Sequence, residues 1–321
     1  MIMDASPSAK YEIICDMATK EDNLINIKQL CEIAGVSRSG YYEWLKAESV
    51  RQEREVRDRE DFDEILRAYR YRGYDKGGRS IHMRLLRHDP PVLMNLKKIY
   101  RLMRKYNLKC PIRKANPYRR MVDALKTDNT APNLLNREFK SHGVRAVLLT
   151  DISYIKRQDG GFSYLSAIMD AGSKELLSYA VSPSLEIDFV LETVERLVSK
   201  YGGELKTDAL LHSDQGSHYT SHRFVDLLKS KELRQSMSRR ANCWDNAPQE
   251  SFFGHMKEEI DLPQCKTHDE IAAAIDDWID YYNNERYQWA LAKLSPHEYY
   301  EYVTTGIYPL PFPPPEAAAN V

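Results

Sequence analysis

VRAVLLTDISYI, residues 144–155, is the most informative segment for the fold of this chain. A near-continuous apolar run of this length is typical of a strand buried in the centre of a sheet. Two further strands follow at hairpin distance, FSYLSAIMD at 162–170 and ELLSYAVS at 175–182. The first part of the sheet is therefore predicted to be a meander of three strands.

Beyond residue 182, helices and strands alternate. An amphipathic helix at 187–201 precedes the strand ALLHSD at 209–214, and a helix at 221–230 precedes a fifth strand at 232–238. A long helix follows over about residues 246–260. A meander followed by this alternation predicts an α/β fold with a mixed five-stranded sheet covered by helices.

Three acidic residues occupy positions where an active site can form. Asp151 closes the first predicted strand, Asp214 closes the fourth, and Glu250 lies in the first turns of the long helix. Strand ends in a central sheet open onto the crevice where active sites form. Spacing is weak evidence by itself, because the chain has 47 acidic residues. The alternative is two ordinary strand-end acids and a helix acid that only complements the helix dipole.

If these carboxylates cluster, they repel one another unless a cation holds them. Hard oxygen ligands select Mg²⁺ or Mn²⁺, and two such ions about 3.5–4 Å apart support in-line phosphoryl transfer. Lys257 lies seven residues after Glu250 and so shares its helix face. A neighbouring apolar face, which can pack on the sheet, consists of Phe252, Phe253, Met256 and Ile260.

Zinc and thiol chemistry receive less support from the sequence. His212, His218 and His222 surround Asp214, yet histidines spread over a strand, a loop and a helix start are more often local polar contacts. Cys243 has no base near it in the sequence and is treated as incidental. The five cysteines include no CxxC pair, which argues against a disulfide framework.

The net charge of −1 hides a strong separation of charge along the chain. Residues 67–120 contain 17 Lys and Arg against two acids, which leaves 29 basic and 45 acidic residues elsewhere. Such separation indicates a module that meets a polyanion, joined to a more acidic body. A solvated basic helical face is the alternative.

Two helical segments are candidates for DNA contact. Residues 27–46 predict a helix-turn-helix, in which Ser37 caps the second helix. In NLKKIYRLMRKY, residues 95–106, an apolar stripe is backed by a basic stripe that can face phosphates. Either segment could instead be an ordinary helical hairpin or surface helix. The predicted DNA contacts are Ser37, Arg38, Tyr41, Lys97, Arg101, Arg104, Lys105, Arg113, Lys114, Arg239, Arg240, Asn246 and Lys257.

Two sets of segments also carry a family resemblance. The first set is LLTDISYI, LLHSDQGSHYTS, MSRRANCWDNAPQESFFGHMKEE and YYNNERYQWALAKLSPHEYY, and the second is CEIAGVSRSGYYEWL, YRYRGYDKGGRSIHMRLL and KKIYRLMRKYNLKCPIRK. Over about residues 25–300 the chain resembles insertion-sequence transposases of the IS-three type, specifically their second-frame (OrfB) product. The resemblance implies a ribonuclease-H-like catalytic domain of the retroviral-integrase superfamily, preceded by all-helical helix-turn-helix DNA-binding regions.

The same resemblance assigns roles to individual residues. It makes Asp151, Asp214 and Glu250 the DDE ligands of two Mg²⁺ or Mn²⁺ ions. It makes Lys257 the basic residue two turns later, and Asn246 a residue that shapes the loop into the catalytic helix. It implies cleavage and strand transfer by a 3′-hydroxyl at element ends, followed by integration of a circular intermediate. The implied partners are double-stranded DNA (terminal inverted repeats and target), further copies of the chain in a homo-oligomer, and the upstream-frame (OrfA) product.

The predicted organisation follows from these segments. No run of 18 apolar residues and no secretory signal pattern occurs, so the predicted location is the cytoplasm. A DNA-binding regulator and a ribonuclease-H-type nuclease without joining activity are the competing functions. The predicted regions are a helix-turn-helix region (1–50), a second helical DNA-binding region (51–120), a linker (121–143), a catalytic core (144–262), a helical extension (263–308) and a disordered Pro-rich tail (309–321).

Overall fold

The computed structural model describes residues 6–74, 76–110, 135, 142–238 and 247–314. The chain divides into two compact units, Met1–Leu66 and Arg67–Val321. Every helix in the described ranges is too short or too polar to span a lipid bilayer.

The first unit is a small group of helices. It contains α1 (Pro7–Ala18), α2 (Ile27–Ala34), α3 (Arg38–Lys46) and most of α4 (Glu48–Arg70), whose last residues belong to the second unit. Helices α2 and α3 are the two helices of the predicted helix-turn-helix. Helix α1 has no counterpart among the predicted elements.

Local backbone chemistry explains the turn between α2 and α3. Gly35 ends α2 in the left-handed region at φ +67°, a conformation that glycine adopts without strain. The Ser37 hydroxyl accepts a hydrogen bond of 3.1 Å from the Gly40 N–H and so caps α3, as predicted. A small core that includes Ile14, Leu30 and Tyr41 holds the three helices together.

The second unit opens with two more helices, α5 (Gly78–Leu85) and α6 (Leu96–Lys105). Asn95 caps α6 by accepting a hydrogen bond of 2.8 Å from the Lys98 N–H. Ile99, Leu102 and Met103 are buried, so the predicted apolar stripe of this helix is its packing face.

A five-stranded sheet forms the centre of the second unit. Its order is β3-β2-β1-β4-β5; β1, β2 and β3 are antiparallel neighbours, whereas β1, β4 and β5 run parallel. This is the mixed sheet that the sequence predicts. The strands are β1 (Val147–Lys156), β2 (Phe162–Asp170), β3 (Leu176–Ser182), β4 (Leu210–Ser213) and β5 (Arg234–Met237).

Helices cover both faces of the sheet. Helices α7 (Asp188–Tyr201) and α8 (His222–Ser230) share a core with Leu148 and Ile168 on one face. Helices α9 (Ala247–Glu259) and α10 (His268–Asn284) share a core with Ala167 and Met169 on the other. The last helix, α11 (Pro296–Thr305), has a small core of its own, against which Leu310 packs. Leu310 belongs to the predicted disordered tail, of which residues 315–321 lie outside the described residues.

Candidate active site

Asp151 lies in the middle of β1. The parallel pairing of β1 with β4 ends at Leu149 opposite His212, but its antiparallel pairing with β2 continues past Asp151, which is opposite Ala167. The prediction that Asp151 closes the strand is therefore wrong. The continuous apolar run stops at Asp151 because the outer half of β1 has only one neighbouring strand, and there burial alternates from residue to residue.

The register of the sheet places Asp151 and Asp214 on one face. Leu149 and His212 are paired in the parallel ladder and so point to the same side. Asp151 and Asp214 each lie two residues further along and keep that side, because side chains alternate with a period of two. Ala167, the partner of Asp151 on β2, belongs to the core shared with α9. Both carboxylates therefore belong to the α9 side of the sheet.

Helix α9 brings the third acid to the same face. Phe252, Phe253 and Met256 are buried in the core that contains Ala167, which fixes the apolar side of the helix on the sheet. Glu250 lies in the first turn of α9 and is half-buried, and Lys257 is exposed two turns later. Both side chains are close enough to Asp151 to affect the pKa of its carboxyl group.

Burial raises the pKa of both aspartates, and for Asp151 the neighbouring acids add to the rise. Burial and then the Asp214 carboxylate raise the pKa of Asp151 to about 7, and Glu250 acts in the same direction. A hydrogen bond of 2.8 Å from the Ile152 N–H and the charge of Lys257 oppose that rise. Burial also raises the pKa of Asp214, against the Gly216 N–H at 2.8 Å and the His218 ring. Among the described residues, the site therefore brings the negative charges of Asp214 and Glu250 close to Asp151.

The chemistry of this donor set fits a hard divalent cation. Each aspartate uses one carboxylate oxygen in a backbone hydrogen bond, with Ile152 or with Gly216. Carboxylate oxygens without thiolate ligands are the donors that Mg²⁺ and Mn²⁺ prefer. As the side chains stand, no three His, Cys, Asp or Glu residues of the described ranges are close enough together to hold one ion.

The three histidines around Asp214 lie in different surroundings. His212 is buried and its Nδ1 lies 2.9 Å from the Ser236 hydroxyl. The His218 Nε2 lies 2.7 Å from the Leu185 carbonyl oxygen. His222 is exposed at the first position of α8. These contacts fit the local polar roles that the sequence favours over zinc binding.

Comparisons with known proteins give the family. Two family models, both described as an integrase core domain, match residues 141–243 and 250–303. A third, described as an HTH-like domain, matches residues 55–116. The protein InsK of Escherichia coli, described as a transposase for insertion sequence element IS150, is 32% identical over 275 residues, which cover 85% of this chain and 93% of InsK. The chain belongs to the insertion-sequence transposases.

Other relatives agree with that assignment. The InsF transposase of insertion sequence IS3A from Escherichia coli is 26% identical, over 85% of this chain and 93% of InsF. Among solved structures, the catalytic core domain of BIV integrase is 18% identical, over 50% of this chain and 97% of that domain, with a TM-score of 0.40. The matched integrase core and the observed sheet order confirm the predicted ribonuclease-H-like fold. The enzyme is a DDE-type polynucleotidyl transferase that functions in DNA transposition and integration.

In the first unit of the transposase, the predicted DNA contacts separate into two groups. Ser37 and Arg38 are exposed at the start of α3. Tyr41 is only 3% exposed and packs in the core with Ile14 and Leu30. The structure corrects its prediction as a DNA contact, because Tyr41 lies on the side of α3 that packs on α1 and α2. Its neighbour Tyr42 is exposed instead.

Helix α6 presents its basic stripe away from its core. Lys97, Arg104 and Lys105 are exposed and Arg101 is half-buried. These cations lie opposite the buried stripe of the same helix, as the periodicity predicts.

Part of the basic charge of residues 67–120 is used inside the second unit. Arg72 pairs with Asp280 at 3.0 Å, Arg84 pairs with Glu285 at 3.0 Å, and Arg87 pairs with Glu298 at 2.6 Å. The α5 region is thereby docked on α10, α11 and the segment between them. The net charge of residues 67–120 cannot reveal these ion pairs, because the acidic partners of the arginines lie about 200 residues away in the sequence.

Several predicted residues lie outside the described residues: Arg113, Lys114, Arg239, Arg240 and Asn246, together with Cys243.

One residue of the site region is missing from the predictions. Gln249, next to Glu250, is fully buried. The sequence does contain a sign of this burial. Gln249 precedes Phe252 by three residues, Phe253 by four and Met256 by seven, so a polar residue falls on the apolar face of the helix.

Proposed function

We propose that Asp151, Asp214 and Glu250 are the metal-binding catalytic residues with which this transposase cleaves and joins DNA at the ends of an insertion sequence. The observation that carries the proposal is the arrangement of two strand acids on one face of the sheet, under a helix whose first turn supplies a third. Their raised pKa values support it, since like charges held together favour a bound cation.

Each side chain has a distinct role in this proposal. The three carboxylates hold two Mg²⁺ or Mn²⁺ ions, which when bound neutralise charge at the scissile phosphate. Asp214 is oriented for this by the Gly216 N–H, and Asp151 by the Ile152 N–H. Lys257 shares the helix face of Glu250 and offers a cation to a neighbouring DNA phosphate. The attacking group is a 3′-hydroxyl of the element end.

DNA recognition is proposed to use two separate helices. In the first unit, α3 meets DNA through its exposed N-terminal residues Ser37 and Arg38. In the second, α6 meets phosphates through Lys97, Arg101, Arg104 and Lys105. Arg113, Lys114, Arg239 and Arg240 are proposed as further phosphate contacts, and Asn246 as a residue that shapes the loop before α9.

The proposed partners are double-stranded terminal repeats and target DNA, with at least two copies of the chain to pair two ends. The upstream-frame product, separate or fused, is proposed as a further partner. Bacterial relatives such as InsK point to the cytoplasm, where the chromosome lies, as the location of the reaction.

A strand-joining assay tests the function. The purified full chain is incubated with a labelled duplex that ends in its own element terminus, with an unlabelled target and with Mg²⁺ or Mn²⁺. Labelled strands longer than the input, dependent on the metal, are expected. Cleavage without joined strands would instead support the ribonuclease-H-type nuclease, and DNA binding without either product would support the regulator.

A further inference from the structure

We propose that Gln249 is a positioning residue: its buried amide fixes the rotation of α9 on the sheet and thereby aims Glu250 at Asp151 and Asp214. This inference rests on the proposed function, because it gives Gln249 a role only through the catalytic use of Glu250.

The first observation is a hydrogen bond from α9 to the sheet. Gln249 is fully buried, and its Nε2 donates to the main-chain carbonyl oxygen of Ala167 at 3.3 Å. Ala167 is the residue of β2 paired with Asp151 in the antiparallel register. The amide therefore fastens the first turn of α9 to the residue of β2 that lies opposite Asp151. Gln249 itself immediately precedes Glu250 in the sequence.

The second observation is the helix face on which Gln249 lies. It occupies the same stripe as Phe252, Phe253 and Met256, all of which pack on the sheet. Apolar packing is non-directional, so on its own it fixes the rotation of a helix only loosely. Turning a helix of radius about 5–6 Å by roughly 20° moves an attached side chain by on the order of 2 Å. A directional hydrogen bond at the first turn restrains that rotation where Glu250 projects.

The third observation is that only the nitrogen of the Gln249 amide has a hydrogen-bond partner among the described residues. Among the described residues, the Gln249 Oε1 is buried and has no hydrogen-bond partner. A buried acceptor without a partner is unfavourable, so a leucine of similar size would suit a purely structural position better. Asn283 provides the contrast. Its amide binds both the N–H and the carbonyl of Leu176, at 2.9 and 2.8 Å, and fastens α10 to β3 away from the acids.

The pair of variants Gln249→Leu and Asn283→Leu separates positioning from stability. Each full-length protein is melted while Mg²⁺ or Mn²⁺ alone is titrated, and strand joining and DNA affinity are measured on the same preparations. Gln249→Leu is expected to melt at the wild-type temperature or above it without metal. It is expected to need about tenfold more metal than wild type for the same rise in Tm, and to join strands at least about tenfold more slowly with unchanged DNA affinity. Asn283→Leu is expected to melt lower without metal, and to need the same metal concentration as wild type for the same rise in Tm.

The outcomes decide the proposal in each case. A Gln249→Leu protein with the wild-type metal requirement for a given rise in Tm and the wild-type joining rate would overturn the positioning role and leave the proposed function standing. If no protein joins strands, wild type included, the proposed function fails, and the metal concentrations needed for the same rise in Tm still decide whether Gln249 aims the carboxylate. Gln249→Met, of equal length, repeats the test if the leucine variant does not fold.

Discussion

The face of the sheet that carries Asp151, Asp214 and Glu250, here called the acidic face, gathers like charges, whereas the docked α5 region pairs opposite charges. Around Asp151, like charges are gathered on one face, and burial with the Asp214 carboxylate raises the pKa of Asp151 to about 7. Around α5, Arg72, Arg84 and Arg87 meet carboxylates of α10, of α11 and of the segment between them, as Arg84 does with Glu285 at 3.0 Å. The first arrangement opposes folding unless a cation joins it, and the second contributes to folding.

The difference shows which charges report function. A group of like charges gathered on one face is unfavourable in the isolated chain, so its presence indicates a ligand that the chain binds. A paired charge needs no ligand. The net charge of a segment therefore does not identify its DNA-binding residues, and the partners of each side chain have to be known. In the second unit, Arg72, Arg84 and Arg87 are paired with carboxylates, whereas Lys97, Arg104 and Lys105 of α6 are exposed to solvent.

The largest effect is expected at the acidic face. Glu250→Gln removes one negative charge and one ligand oxygen while keeping the size of the side chain. We expect loss of cleavage and joining by at least about 10²–10³-fold, with DNA affinity largely unchanged. The joining assay and a DNA-binding titration measure the two quantities. The matched control is Glu258→Gln, an exposed acid on the same helix, which should keep full activity; equal loss of binding and joining in Glu250→Gln would contradict a purely catalytic role.

The next largest effect is expected on DNA affinity when the cations of α6 are removed. Neutralising Arg101, Arg104 and Lys105 together, each to Gln, should weaken DNA binding and reduce the slope of log affinity against log salt. The expected reduction is roughly one for each DNA phosphate that these side chains no longer neutralise. Binding titrations at several salt concentrations measure it. An unchanged slope would show that these cations do not face phosphates.

At the docked arginines we expect a loss of stability rather than a loss of DNA affinity. Glu285→Gln removes the carboxylate shared by Arg72 and Arg84, so the free energy of unfolding should fall by about 1–3 kcal/mol. DNA affinity should not change, because these arginines do not face DNA in this account. Urea unfolding measures the first quantity, and Glu258→Gln, expected within about 0.5 kcal/mol of wild type, is the surface control. A rise in DNA affinity with unchanged stability would place these arginines on the DNA-binding surface after all, because the variant frees both cations.

The stability of the metal-free protein should also depend on pH. The pKa of Asp151 is raised in the folded chain from its ordinary value of 3.8 to about 7, so the folded state binds more protons between those values. The metal-free protein should therefore lose stability as pH rises from about 4 to 7. Asp151→Asn should flatten this slope in melting curves between pH 4 and 7. A slope identical to that of wild type would mean that Asp151 does not titrate in this range.

Much of the fold could be predicted from sequence because it rests on local patterns. The apolar run ending in Asp151 and the amphipathic helices are such patterns, and the five strands follow from them. The strand position of Asp151 could not be predicted, because it depends on where β4 stops pairing with β1. Tyr41 was misassigned because helical spacing alone does not say which side faces α1, a helix missing from the predictions. The docking of Arg72, Arg84 and Arg87 joins segments far apart in the chain.

The central claim is that Asp151, Asp214 and Glu250 form the site of transposition chemistry. The most direct measurement is amplification across the circle junction, in cells that carry the gene with its own flanking element ends and the upstream frame. Wild type, Glu250→Gln and Glu258→Gln are compared. We predict a junction product from wild type and Glu258→Gln and none from Glu250→Gln. A junction product from Glu250→Gln at the wild-type level would contradict the claim.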